Sequence, residues 1–129
     1  GAREIPLWVL HRPGADADRM RALERAGVRL LEMPADAAGR VDIAAALDRL
    51  GAAGLTRVLC EGGGRLAAAL LAAGRVDRLA LFQGPRVIGA EGLPGVGGLG
   101  LDALAEAPYL TLDRVERLGP DLVSHWRPA

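Results

Sequence analysis

Apolar residues fall along this chain in two alternating rhythms. Residues 5–10 form a short apolar run, with Pro6 near its start and Pro13-Gly14 beyond it, which predicts a buried strand. Residues 16–26 carry the pattern of a helix that Asp16 or Asp18 caps and Gly27 ends. A second strand is expected over residues 28–31. The clearest stripe follows: Ile43, Ala46, Leu47 and Leu50 stand at i, i+3, i+4 and i+7 behind a capping Asp42, with Gly51 and Gly54 closing the helix. Residues 57–60 read as a third strand and Gly62-Gly63-Gly64 as a turn. Residues 65–73 read as a third helix, with Leu66, Leu70 and Ala73 facing inward and Gly74 at its end. Residues 79–83 read as a fourth strand. The order β-α-β-α-β-α-β implies parallel strands, joined by right-handed crossovers, with helices packed on the sheet faces.

The pattern changes after residue 83. Residues 84–100 are rich in Gly and Pro without periodicity, which predicts a long surface loop. Residues 101–105 fit one helical turn. Residues 109–118 and 122–126 are strand-like on either side of Gly119-Pro120, the signature of an antiparallel hairpin. The expected architecture is therefore α/β, a mixed sheet whose parallel part ends in an antiparallel edge. No internal repeat or linker divides residues 1–129, so a single domain is expected.

Composition narrows the functional classes. Half of the 129 residues are apolar but only 3% are aromatic, so the core is expected to be aliphatic and built from small side chains. The formal net charge is zero, and every basic side chain is Arg. No basic block marks a nucleic-acid surface, and a neutral chain has no pull toward an anionic membrane. No apolar run reaches the roughly 18 residues that span a bilayer, and no apolar segment of the signal-peptide kind follows Gly1-Ala2-Arg3-Glu4. The single cysteine, Cys60, excludes an internal disulfide and a cysteine-based zinc site, in keeping with a cytoplasmic location. It is expected to be a small buried hydrophobe. Two isolated histidines, His11 and His125, make no metal site, and His125 reads as an ordinary edge residue. The chain starts four residues before its first strand, which leads us to expect a truncated domain.

The sharpest chemical feature is Leu59-Cys60-Glu61-Gly62-Gly63-Gly64-Arg65-Leu66, where a predicted strand passes into a predicted helix. Three glycines allow a tight turn and a close approach of a ligand to the backbone. The helix start adds unpaired N–H groups and a positive dipole end, which suit a pyrophosphate. A merely tight turn between strand and helix is the competing reading. The segment is not a P-loop, since no Lys-Ser or Lys-Thr follows, and a G-x-G-x-x-G spacing would end on Ala67. Glu61, at a strand end, faces either a ligand crevice or simply Arg65. His11 and Arg12 follow the first strand, and a guanidinium suits phosphate, although an exposed loop pair is the plainer reading. No Ser-His-Asp or Cys-His arrangement is present, so no catalytic residue is singled out.

Residues 57–66, followed by Leu70-Leu71-Ala72-Ala73-Gly74-Arg75-Val76-Asp77-Arg78-Leu79, resemble the C-terminal reductase domain of bacterial bifunctional riboflavin-biosynthesis proteins. That family places Glu-Gly-Gly between a strand and a helix, and a Gly-x-Val-Asp-like stretch after the helix. Pro85-Arg86-Val87-Ile88-Gly89 is similar to a later segment of the family, and Val115-Glu116-Arg117-Leu118-Gly119-Pro120-Asp121-Leu122 to its final hairpin. The resemblance runs over residues 5–126. It implies a dihydrofolate-reductase-like fold and an NADPH-dependent reduction of the ribosyl group of 5-amino-6-(5-phosphoribosylamino)uracil to ribityl.

The resemblance further implies that Gly62, Gly63, Gly64, Arg65 and Leu66 hold the cofactor pyrophosphate. It implies that His11 and Arg12 reach its 2′-phosphate, and that Glu61 contacts the pyrimidine of the substrate. The family's opening strand, its Ser-x-Asp-Gly stretch and its substrate-binding arginines have no counterpart here. The chain is therefore expected to hold the cofactor half of a site, and to be inactive alone. A homodimer is expected, because removing opening strands exposes a new sheet edge. A non-catalytic nucleotide-binding or dimerisation module of the same fold is the alternative.

Overall fold

A computed structural model describes all residues, 1–129, and the chain resolves into two compact units, Gly1–Val58 and Leu59–Ala129. In the first unit, β1 (Trp8–His11) pairs in parallel with β2 (Arg29–Glu32), and the intervening α1 (Ala17–Arg25) completes one β-α-β crossover. Asp16 caps α1 by accepting a hydrogen bond from the Arg19 N–H at 2.8 Å. The chain then turns through a tight loop in which Asp36 accepts from the backbone N–H groups of Ala38 and Arg40 and from Arg40 Nε. The hydrogen bond from the Arg40 backbone, followed by those from its side chain and from Ala38, holds the Asp36 carboxyl below the usual carboxylate range. Helix α2 (Ile43–Ala52) follows, capped by Asp42.

The predicted stripe on α2 is the face that meets the core. Ala46 is only 2% exposed and clusters with Leu31 and Met33, while Trp8, Leu10, Val41, Ile43 and Leu50 pack around them. The core of this unit is mostly aliphatic, as its composition implies. Trp8 adds one aromatic face, over which the Arg29 guanidinium stacks 4.3 Å from the ring centre.

The second unit contains α3 (Gly64–Ala72), β3 (Leu79–Gln83), β4 (Leu110–Leu118) and β5 (Asp121–Pro128). Its sheet order is β3-β5-β4, antiparallel throughout. The β4–β5 hairpin turns at Gly119-Pro120, where Gly119 takes the left-handed φ of 61° that a glycine tolerates best. Single 3₁₀ turns at Gly89–Glu91 and Leu104–Glu106 interrupt the loop between β3 and β4.

The fold is thus mixed α/β, but the parallel pair and the antiparallel strands form two sheets and not the expected single mixed sheet, and three local departures from the sequence reading go with this. Residues 57–60 form no strand: they have no ladder partner, and Leu59 is 82% exposed. The fourth predicted strand exists as β3, but it runs antiparallel to β5 rather than joining a parallel series. On α3 the buried residue is Ala68, whereas Leu66 and Ala73 are exposed. The first two have one cause: an apolar run specifies a strand-like segment, but the strand that completes its hydrogen bonds comes from elsewhere in the chain. On α3 the spacing marks an apolar face, and packing decides which part of it is covered.

Candidate functional site

The glycine turn lies in the second unit, at the start of α3. Gly63 occupies the N-cap position, so no side chain accepts from the first-turn amides, and no acidic residue lies in the first turn. The Gly63 carbonyl accepts from Leu66 N–H at 3.0 Å and Ala67 N–H at 3.2 Å, which closes the first turn. The positive end of the helix dipole therefore has no carboxylate of its own to meet it.

The three glycines differ in their surroundings. A methyl group on Gly63 would meet nothing within 4 Å, and one on Gly62 would touch only Leu66 Cδ2, at 3.4 Å. A methyl on Gly64 would instead lie 2.5 Å from the Pro94 carbonyl oxygen. Glu61, Gly62, Gly63, Arg65 and Leu66 are all exposed, and Gly64 is half-buried. Chemically the turn offers open backbone next to uncapped helix amides, with the Arg65 guanidinium one residue into the helix. Such an arrangement can bind a phosphate or pyrophosphate through N–H donors and one positive charge.

The residues singled out in the sequence thus fall into two groups. Glu61 and the residues from Gly62 to Leu66 come together in one turn of the second unit. His11 and Arg12 belong to the first unit: His11 is the last residue of β1, paired across the ladder with Glu32, and Arg12 follows it, exposed. The His11 carbonyl accepts from Met33 N–H at 2.8 Å, so the end of β1 is held by its neighbour strand.

Cys60 is not buried. It is exposed, and its thiol points a weak hydrogen bond of 3.7 Å at the Gly62 carbonyl, because residues 57–60 have no sheet to bury them. His125 is not at an edge: it lies on β5, the central strand, opposite Ala80 on one side and Arg114 on the other. There Glu116 accepts from Arg114 Nε at 2.6 Å and lies 3.0 Å from His125 Nε2. The Arg114 hydrogen bond and charge hold the Glu116 carboxyl below its usual range, and Glu116 in return raises Arg114. No local pattern marks this cluster, whose members meet only through strand register. An apolar cavity of about 130 Å³ opens at the other end of α3, between Leu71, Val76, Tyr109 and Pro128.

Residues 2–124 match the RibD C-terminal domain. The chain belongs to the RibD C-terminal domain family. Among curated relatives, it is 33% identical over 98 residues to the riboflavin biosynthesis protein RibD of Escherichia coli, covering 76% of this chain and 26% of that protein. It is 36% identical over 85 residues to a 2,5-diamino-6-ribosylamino-4(3H)-pyrimidinone 5′-phosphate reductase of Methanothermobacter thermautotrophicus, covering 65% of this chain and 39% of that one. A solved pyrimidine reductase-like protein of Corynebacterium diphtheriae superposes with a TM-score of 0.78 at 23% identity, over 95% of this chain and 50% of the other. The chain thus spans between about a fifth and two-fifths of the curated relatives it matches. The RibD C-terminal match takes in the glycine turn, both ends of α3 and most of the C-terminal hairpin.

Proposed function

We propose that this chain is the cofactor-binding part of a dihydrofolate-reductase-like reductase domain of riboflavin biosynthesis. The reaction is the reduction of the ribosyl group of 5-amino-6-(5-phosphoribosylamino)uracil to ribityl. The observation that carries the proposal is the uncapped start of α3: open glycine backbone at Gly62 and Gly63, in a chain of the RibD C-terminal domain family. The residues present fit a dinucleotide. The amides of Gly62, Gly63, Gly64 and Arg65 receive the pyrophosphate of NADPH beside Leu66, and Arg65 adds charge to that contact. NADPH, when bound, supplies the hydride. The resemblance assigns His11 and Arg12 to the adenosine 2′-phosphate, and with it a preference for NADPH over NADH. Glu61, exposed beside the turn and ahead of the helix, takes the pyrimidine of the substrate.

One experiment tests the reading. In the full-length protein, Gly63→Val places a branched side chain where the pyrophosphate must lie, and NADPH affinity in a fluorescence titration falls by at least about tenfold, the equivalent of ~1.4 kcal/mol. Glu61→Gln in the same assay leaves NADPH affinity unchanged and raises the substrate KM or lowers kcat. Unaltered NADPH binding in Gly63→Val refutes the assignment of the turn. NADPH binding without turnover of any ribosylaminopyrimidine favours a non-catalytic nucleotide-binding module.

We also propose that the protein is a homodimer. β3 and β4 are the outer strands of their sheet, and Leu81, Phe82, Leu112 and Val115 are exposed on it. Open strands and apolar side chains of this kind favour pairing with a second copy. Sedimentation equilibrium at micromolar concentration gives twice the chain mass on this reading, and a single species at the monomer mass refutes it.

A further inference from the structure

The loop between β3 and β4 has little regular structure, yet one stretch of it is tightly held. Gly97 N–H donates to the Gly64 carbonyl at 2.8 Å. A methyl on Gly64 would lie 2.5 Å from the Pro94 carbonyl oxygen and 3.0 Å from the Gly97 nitrogen. A methyl on Gly97 would lie 3.1 Å from the Gly64 oxygen and 3.4 Å from the Arg65 nitrogen. Two backbones therefore touch with no side chain between them: a Cβ on Gly64 would collide with the Pro94 carbonyl, and one on Gly97 would press on the Gly64 peptide. Gly95 and Gly98, on either side of this contact, have open space around them.

We propose that Gly64 and Gly97 form a backbone clasp that presets the dinucleotide turn, with Gly97 as a positioning residue for the cofactor. This rests on the assignment of that turn to the NADPH pyrophosphate. The physical reason lies in the peptide unit. The Gly64 carbonyl and the Arg65 N–H belong to one planar group, so fixing the oxygen fixes the direction of the N–H. The Arg65 N–H is among the first-turn amides that a helix leaves without an internal partner. A run of three glycines has more conformational freedom than any other tripeptide, and an anion site made of it must be braced from outside to be ready for its ligand. The loop supplies that brace through one hydrogen bond and a close backbone contact, leaving Gly62 and Gly63 open.

The test uses the full-length protein, with NADPH as the probe and amide hydrogen exchange as an independent readout. Gly97→Ala weakens NADPH binding by about tenfold, the upper range for one lost backbone hydrogen bond, measured well below the melting temperature. Exchange at Gly64 to Leu66 quickens by a similar factor, while Gly95→Ala changes neither. The double variant Gly64→Ala/Gly97→Ala is no weaker than Gly64→Ala alone, because both remove the same contact. Normal NADPH affinity together with normal turn exchange in Gly97→Ala overturns the clasp. If the unaltered protein does not bind NADPH, the functional assignment fails, and exchange alone decides the clasp. In that case faster turn exchange in Gly97→Ala upholds it and unchanged exchange overturns it. Should the variants not fold, the unaltered protein decides: a Gly97 amide that exchanges as fast as those of Gly95 and Gly98 overturns the proposal, and a protected one supports it.

Discussion

Helices α2 and α3 begin in opposite ways. At the start of α2, Asp42 Oδ1 accepts from the Ala45 N–H at 3.0 Å, so a carboxylate of the protein itself occupies the positive end of the helix. At the start of α3 the same position is Gly63, with no side chain and no acid in the first turn. The α2 start closes a helix that packs into the core of its unit through Ala46. The α3 start has exposed backbone and no side chain of its own to accept from its first amides. The two starts meet the same problem of unpaired amides differently, one with its own carboxylate and the other with open glycine backbone, where the pyrophosphate is proposed to sit.

The sharpest way to break that contrast is to give α3 a carboxylate. Gly63→Asp, which has open space for its side chain, puts a negative charge where the pyrophosphate is proposed to sit. Gly63→Asn fills similar volume without the charge. We expect the Asp variant to bind NADPH at least about tenfold more weakly than the Asn variant, since like charges a few ångströms apart cost on the order of 1 kcal/mol or more even in a watery setting. The gap should narrow as salt is raised. Equal affinities for the two variants would mean that the turn does not meet the anionic part of the ligand.

A smaller effect is expected from undoing the other helix start. Asp42→Ala removes the cap of α2 and should lower stability by about 1 kcal/mol, seen in chemical denaturation, with NADPH affinity unchanged. A loss of NADPH binding in this variant, at a temperature where it is folded, would blur the distinction between the two helix starts.

These two regions also show what was legible in the sequence. The position of α2 could be read because everything that makes it is local: a capping Asp42, then apolar residues at helical spacing. The same holds for α1 behind Asp16 and for the β1–α1–β2 crossover. The place of the glycine turn was legible as well, since three consecutive glycines before a helix stand out. Their division of labour was not. Gly64 is required by Pro94 and Gly97, some thirty residues on, and a glycine carries no mark of which backbone comes near it. Residues 57–60 failed for the related reason that a strand needs a partner as well as a pattern. The direction of β3 was hidden too, because a short apolar run reads the same in parallel and antiparallel pairs. The Arg114–Glu116–His125 cluster depends on cross-strand register, which no local pattern reports.

The β4–β5 ladder slips by one residue between Leu112 and Arg114, leaving Asp113 as the extra residue, 3.2 Å from Arg78 Nη1. Leu112 and Val115 are three apart in sequence, an odd count that would ordinarily send them to opposite sides of a strand. The inserted residue restores the phase: Leu112 stands opposite Trp126 and Val115 opposite Ser124, two residues of β5 that share a side. Arg114 and Glu116 then share the other side with His125 and Val123. Asp113 thus works as a frame marker for the hairpin. A substitution there would cost one ion pair. Its deletion would leave every pairing in place and turn the bulge into a regular ladder, whereas loss of the bulge with Asp113 kept in the ladder would carry Arg114 and Glu116 to the apolar side and Val115 to the charged one.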